Sequence, residues 1–193
     1  MKMIQDDISL IKQAQSGSQA AFRELVCRYD RQVLNIAAAY RNSEEDAQDI
    51  YQEVFLRVYK GLESFQFRSS FSTWLFRITT NVCISYNDKK KKHKMESINK
   101  EISGSDGASI QIAEMIKGRD SADREILSDE ISEKVNGLVE TLPAQQKMAF
   151  TLKYFQEYKI KEIAKMMNCA EGTIKRYLFT ASKKMRNELK NYV

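Results

Sequence analysis

The side chains that could do covalent or metal chemistry in this chain are few and widely separated. There is one histidine, His93, and there are three cysteines, Cys27, Cys83 and Cys169, with no CxxC pair among them. An odd number of distant cysteines gives neither a disulfide framework nor a metal-ligand set. All three are expected to be small core-type residues, and His93, set among lysines, a solvated polar group. No glycine-rich loop offers its N–H groups to a phosphate. Hydrolytic and metal-dependent enzymes are therefore the least supported classes, and no cofactor or metal is expected. What remains is binding chemistry, concentrated in two stretches. FSTWLFRITTNVCISYNDKKKKHK, residues 71–94, joins an aromatic amphipathic pattern to Lys89, Lys90, Lys91 and Lys92. Four ammonium groups in a row suit a phosphate backbone, which they neutralise with little sequence information.

The second stretch is IKEIAKMMNCAEGTIKRYLF, residues 160–179. Two helices that cross steeply over a short turn need a small residue at the crossing, apolar anchors on both helices and a turn residue tolerant of left-handed backbone. Ala164 fits the first need, Ile163, Met167, Ile174 and Leu178 the second, and Asn168 the third. The outward positions of the second helix are then Glu171, Thr173, Lys175, Arg176, Phe179 and Thr180, side chains suited to a major groove and its phosphates. The basic tail KKMR, residues 183–186, extends the same helix. On spacing alone, a generic helical hairpin remains open.

The elements that must position these residues read as helices throughout. A single proline, seven glycines and little β-branched alternation favour an all-α protein. Ile50, Val54 and Val58 recur at four-residue spacing, with Tyr51, Phe55 and Leu62 on an adjoining stripe; Phe22, Leu25, Val26, Tyr29, Val33, Leu34 and Ala37 give an earlier amphipathic helix. Ser43 before Glu44, Glu45 and Asp46 is a good helix start, because the hydroxyl caps and the carboxylates suit the dipole. Gly61 and the polar stretch 66–70 mark a loop, after which Ser72 is expected to cap a helix packed through Trp74, Leu75, Ile78 and Val82. Periodicity fades at Lys94, resumes at Leu127 with Ile131, Val135 and Leu138, and Pro143 is placed in the first turn of another helix.

Two small helical domains, residues 1–93 and 127–193, are thus expected, joined by a flexible linker over 94–126. Charge divides the chain similarly. Residues 1–95 carry 15 basic and 11 acidic groups, 96–141 carry 5 and 11, and 142–193 carry 11 and 4. Two basic ends around an acidic middle suit two modules that meet one polyanion. No apolar run approaches the roughly 20 residues of a membrane span, and Asp6 and Asp7 interrupt any signal-peptide core, so a cytosolic location is expected. A DNA-binding regulator and a helical adaptor that uses its lysines for solubility both remain compatible with these patterns.

EEDAQDIYQEVFLRVYKGLESF followed by FSTWLFRITTNVCISY resembles region 2 of the sigma-70 family, and LPAQQKMAFTLKYFQEYKIKEIAKMMNCAEGTIKRYLF resembles region 4. Only these two regions, with a short linker, are similar to the extracytoplasmic-function (ECF) group. The resemblance covers about residues 8–92 and 127–190 and implies a protein that binds core RNA polymerase, directs it to promoters and is not an enzyme. It implies that Asp49, Gln52 and Glu53 meet the clamp helices of the largest polymerase subunit, while region 4 meets the flap of the second-largest. It implies that Phe65, Arg68, Ser69, Ser70 and Asn81 handle the melted −10 strand, with Lys89–Lys92 on its backbone, and that Phe71, Trp74 and Phe76 are mostly packing. The acidic linker is expected in a polymerase channel, and a cognate anti-sigma factor is expected to hold the protein inactive. One departure matters: Tyr177, Thr180 and Ser182 stand where ECF recognition helices often carry arginine. Lys175 and Arg176 are therefore the leading −35 contacts, Glu171 and Thr173 the lesser ones. Ala170, at the usual cap position, leaves that helix start weaker by about 1 kcal/mol.

Overall fold

Asp6 and Asp7, which break up the apolar N-terminus of the sequence, have local tasks in the fold. The computed structural model describes residues 6–41, 43–100 and 134–190. Helix α1, Asp7–Gln15, starts where the Asp6 carboxylate accepts a hydrogen bond from the Ser9 N–H at 2.7 Å. Asp7 pairs with Arg28 at 3.0 Å and accepts a bond from the Tyr29 hydroxyl, tying α1 to α2, Gln19–Arg41. Burial and the Asp7 carboxylate push the Tyr29 hydroxyl well above its ordinary range, so it stays a donor.

Helix α3, Glu44–Leu62, begins as its sequence predicts, with the Ser43 hydroxyl accepting from the Asp46 N–H. Ile50, Val54, Phe55, Val58 and Leu62 are buried. Helix α4, Phe71–Lys100, departs from expectation at both ends. Its cap is Ser70 and not Ser72: the Ser70 hydroxyl accepts from the Thr73 N–H at 3.2 Å and its carbonyl from the Trp74 N–H at 3.1 Å. Ser72 lies inside the first turn, where its hydroxyl meets that of Ser70. The helix also runs past residue 93, because lysines propagate a helix well and no glycine or proline intervenes.

In the C-terminal half, α5 covers residues 134–140. Helix α6, Ala144–Phe150, continues as one π-helical turn, Thr151–Phe155. Pro143 stands as the cap residue just before α6, one position earlier than expected. Helices α7, Ile160–Met166, and α8, Glu171–Lys190, complete the chain. Among the described residues there is no β-strand. The readings that fall on Leu127 and Ile131, and most of the acidic linker, lie outside the described residues.

The two halves are docked. Helix α4 packs against α2 and α3 on one side and against α6 and α7 on the other. Across the seam, Arg77 Nε donates to the Lys165 carbonyl and Thr80 Oγ1 to the Met166 carbonyl, both at 2.9 Å. Gln156 donates to the Asn35 carbonyl at 3.4 Å, and the Phe76 and Tyr158 rings lie 6.3 Å apart. Lys147, which sequence reading leaves in solvent, is 1% exposed. It pairs with Glu140 at 2.6 Å and sits 4.6 Å from the Tyr40 ring centroid, so its charge enters the interior with partners.

A second buried ion pair ties α2 to α3. Arg41 meets Asp46 at 2.7 Å, with side chains 10% and 6% exposed. Removing one member of such a pair strands the other charge. Asp46→Ala is expected to lower unfolding free energy by about 3–5 kcal/mol, measured by urea titration; a loss under about 1 kcal/mol would rule out a structural role for the pair. At the seam, the double variant Arg77→Ala/Thr80→Val is expected to weaken docking by about 0.5–1.5 kcal/mol per hydrogen bond. Fluorophores on the two halves would report this as an increased open population with the melting of each half unchanged.

Candidate polymerase and nucleic-acid interface

The outward face of α3 lies opposite its buried stripe. Asp49 and Gln52 are exposed and Glu53 half-buried, so the three residues expected to meet the polymerase share one side of the helix. Two are held by neighbours. Tyr86 Oη of α4 donates to Asp49 at 2.9 Å and to Asp46 at 3.2 Å, and Glu53 pairs with Arg57 at 2.6 Å. Burial and the Asp49 hydrogen bond raise the Tyr86 hydroxyl far above its ordinary range, keeping it a donor. Sequence reading missed Leu56 and Tyr59, 47% and 59% exposed on the same face. Their signal was present: Leu56 follows Gln52 by four residues and Glu53 by three, outside the buried stripe.

The loop between α3 and α4 stands on an aromatic floor. Gln15 donates to the carbonyls of Leu62 and Phe65, both at 3.0 Å, fixing the loop's first turn. Phe65 is 8% exposed, its ring 4.9 Å from Trp74, and Phe71 lies 5.8 Å from Trp74. Gly61 falls in the last turn of α3, not in the loop; a Cβ there would meet the Trp74 ring at 3.1 Å. Phe71 and Phe76 are buried and Trp74 half-buried, as packing residues should be. Phe67 sits in left-handed backbone, φ +56°, a conformation that costs a bulky side chain about 1–3 kcal/mol. Arg68 and Ser70 are exposed and Ser69 half-buried. Asn81 is exposed on α4, one turn beyond Arg77. Lys89, Lys90, Lys91 and Lys92 continue that helix; their side chains, like that of His93, lie outside the described residues.

The helix-turn-helix forms as its spacing predicts. Asn168 adopts φ +51°, and the Cys169 N–H bonds back to the Ala164 carbonyl at 2.9 Å. Ile163, Ala164, Ile174 and Leu178 are buried. The deeper methionine anchor is Met166, 4% exposed, and not Met167, which is half-buried, because α7 ends one residue earlier than the pattern suggests. On α8, Glu171, Lys175, Arg176, Phe179 and Thr180 are exposed and Thr173 half-buried, forming one outward face. Phe179, at 70%, is the most exposed of the large apolar side chains described. Tyr154 and Phe155, on the π turn, are also exposed beside Phe150.

The cysteines divide by environment. Cys83 is fully buried and its thiol is pushed up to about 12 by burial; Cys169 is half-buried and raised for the same reason. Cys27, expected in the core, is exposed, because its place on α2 falls off the apolar stripe. Iodoacetamide at pH 8 is expected to label Cys27 in the native chain and Cys83 only with unfolding; prompt native labelling of Cys83 would contradict the burial. As pH rises from 9.0, the thiol's ordinary value, to about 12, the unfolded chain sheds the Cys83 proton first. Stability should therefore decline across that window.

Among the described residues no helix is long and apolar enough to cross a membrane. Comparison with known proteins matches residues 25–93 to sigma-70 region 2 and residues 132–185 to sigma-70 region 4. The chain is 30% identical over 183 residues to the ECF RNA polymerase sigma-E factor of Haemophilus influenzae, covering 95% of each. It is 29% identical over 177 residues to the RNA polymerase sigma-H factor of Pseudomonas aeruginosa, covering 92% of this chain and 90% of that one. Among solved structures, CnrH in complex with the cytosolic domain of CnrY has the same fold, with TM-score 0.60 and 20% identity over 96% of this chain and 97% of that one. So does the sigma factor RpoE in complex with the anti-sigma factor NepR from Bartonella quintana, with TM-score 0.60 and 20% identity over 88% and 96%. With both regions in order on an all-helical frame, the chain belongs to the ECF sigma factors of the sigma-70 family, the RNA polymerase subunits that direct transcription initiation at promoters.

Proposed function

We propose that three surfaces divide the work of initiation in this chain. The α3 face with Asp49, Gln52 and Glu53, widened by exposed Leu56 and Tyr59, docks on the clamp helices of the largest polymerase subunit. The loop with Arg68, Ser69 and Ser70, above buried Phe65 and beside Asn81, holds the melted −10 strand while the lysine-bearing end of α4 follows its backbone. Helix α8 enters the −35 major groove, led by Lys175 and Arg176. Exposed Tyr154 and Phe155 suit the flap of the second-largest subunit. The chain acts by binding alone, in the cytoplasm.

The observation that carries this reading is the α3 face, where exposed carboxylate, amide and apolar groups share one side and Asp49 is held by Tyr86. A solvated helix face does not need two large apolar side chains in water. A cognate anti-sigma factor is the third partner, alongside core polymerase and promoter DNA. Support comes from chains of this fold solved with the cytosolic domain of CnrY and with the anti-sigma factor NepR.

Run-off transcription with core polymerase and a genomic promoter library tests the whole reading; no chain-dependent transcript would sink it. Asp49→Arg with Glu53→Arg is expected to weaken core binding at least tenfold, about 1.4 kcal/mol. Lys175→Ala and Arg176→Ala should each cost about 1–3 kcal/mol in −35-dependent initiation while core binding stays intact.

A further inference from the structure

Phe67 is unexplained by the surfaces above. Its left-handed backbone, φ +56°, is one that glycine adopts without strain and that a bulky aromatic adopts only under constraint. Its ring is 40% exposed, so packing uses only part of it. The inner edge meets Phe65, centroids 5.1 Å apart and planes tilted 59°. Phe65 in turn is fixed against Trp74 and Phe71, at 4.9 and 6.2 Å. The ring therefore stands on a rigid floor with one face turned to solvent, next to exposed Gln66, Arg68 and Ser70.

The chemistry of this spot selects its occupant. A single aromatic face ringed by polar groups offers too little apolar area to anchor a hydrophobic peptide. It does match a flat ring with polar edges and a phosphate attached, since the ring stacks and the neighbouring guanidinium meets the phosphate. We propose that Phe67 is the stacking platform for one unpaired base of the −10 strand. This rests on the reading that the α3–α4 loop holds that strand, and adds the residue that holds the base by its face. Stacking is tolerant of base identity, so Phe67 contributes affinity while the polar groups of the loop contribute selection.

The test uses the full chain bound to core polymerase. Strands are first selected by the wild-type complex from a random 12-nucleotide single-stranded pool, then remade with 2-aminopurine at each position in turn. Phe67→Gly is expected to keep or raise the Tm, lose roughly 5- to 150-fold in strand affinity, and abolish the quenching of 2-aminopurine at one position. Phe67→Leu, which keeps an apolar side chain but no π face, should lose affinity and quenching alike. Phe67→Trp should retain both within about twofold of wild type, as any aromatic face can stack. Wild-type binding and quenching in the Gly and Leu variants would overturn the proposal, as would equal loss in all three, Trp included. If Asn81→Ala weakens the selected strands and Phe67→Gly does not, the loop reading stands and the platform falls. If the wild type enriches no strand, both fall together.

Discussion

Helix α4 has to bury itself on two sides at once, and most of the molecule follows from how it does so. Leu75, Val82 and Cys83 are sealed within the core, while Thr79 and Thr80, both fully buried, must dispose of two hydroxyls. Thr79 bonds back to its own helix at the Leu75 carbonyl, and Thr80 reaches across to α7. Buried polar groups left unpaired are costly, so this rotation of α4 is the one that satisfies both. It leaves Asn81 and the helix start turned away from either core, where they can meet a strand of DNA.

The same helix reaches the polymerase-facing side through Tyr86. Arg41, Asp46, Tyr86 and Asp49 form a chain of contacts linking α2, α3 and α4, with the Arg41 guanidinium 5.8 Å from the Tyr86 ring. A carboxylate offered to a partner is thereby oriented by a phenol on the helix that also carries Asn81. Part of the ordering cost of docking is met during folding, which favours association.

Local rules made much of this legible in the sequence. Ser43 capped α3 because a hydroxyl before three acidic residues has one good use, and Asn168 took left-handed backbone because few other types tolerate it. Ile163, Ala164, Ile174 and Leu178 fell in place from helical spacing. Choices between adjacent equivalents were not legible. Ser70 and Ser72 are both competent caps, and Met166 and Met167 both competent anchors; which one served depended on where a helix began or ended. Long-range effects were further out of reach. Lys147 lies inside because Glu140 and the Tyr40 ring meet it there, and no local pattern encodes a partner more than a hundred residues away. Phe67 was overlooked because an aromatic in a polar loop carries no periodic signal, and its backbone angle is invisible until the chain is folded.

The seam between the halves has an asymmetry of composition. Arg77 and Thr80 both bond to main-chain oxygens, those of Lys165 and Met166 at the C-terminal end of α7, where carbonyls lack partners within their own helix. Every residue type has a carbonyl, so substitutions along α7 leave these acceptors in place provided the helix ends where it does. The donors can be lost by a single change in α4. Evolution can therefore retune the DNA-facing half, altering its side chains freely, without renegotiating its grip on the other half, and the strength of that grip is heritable on one side only.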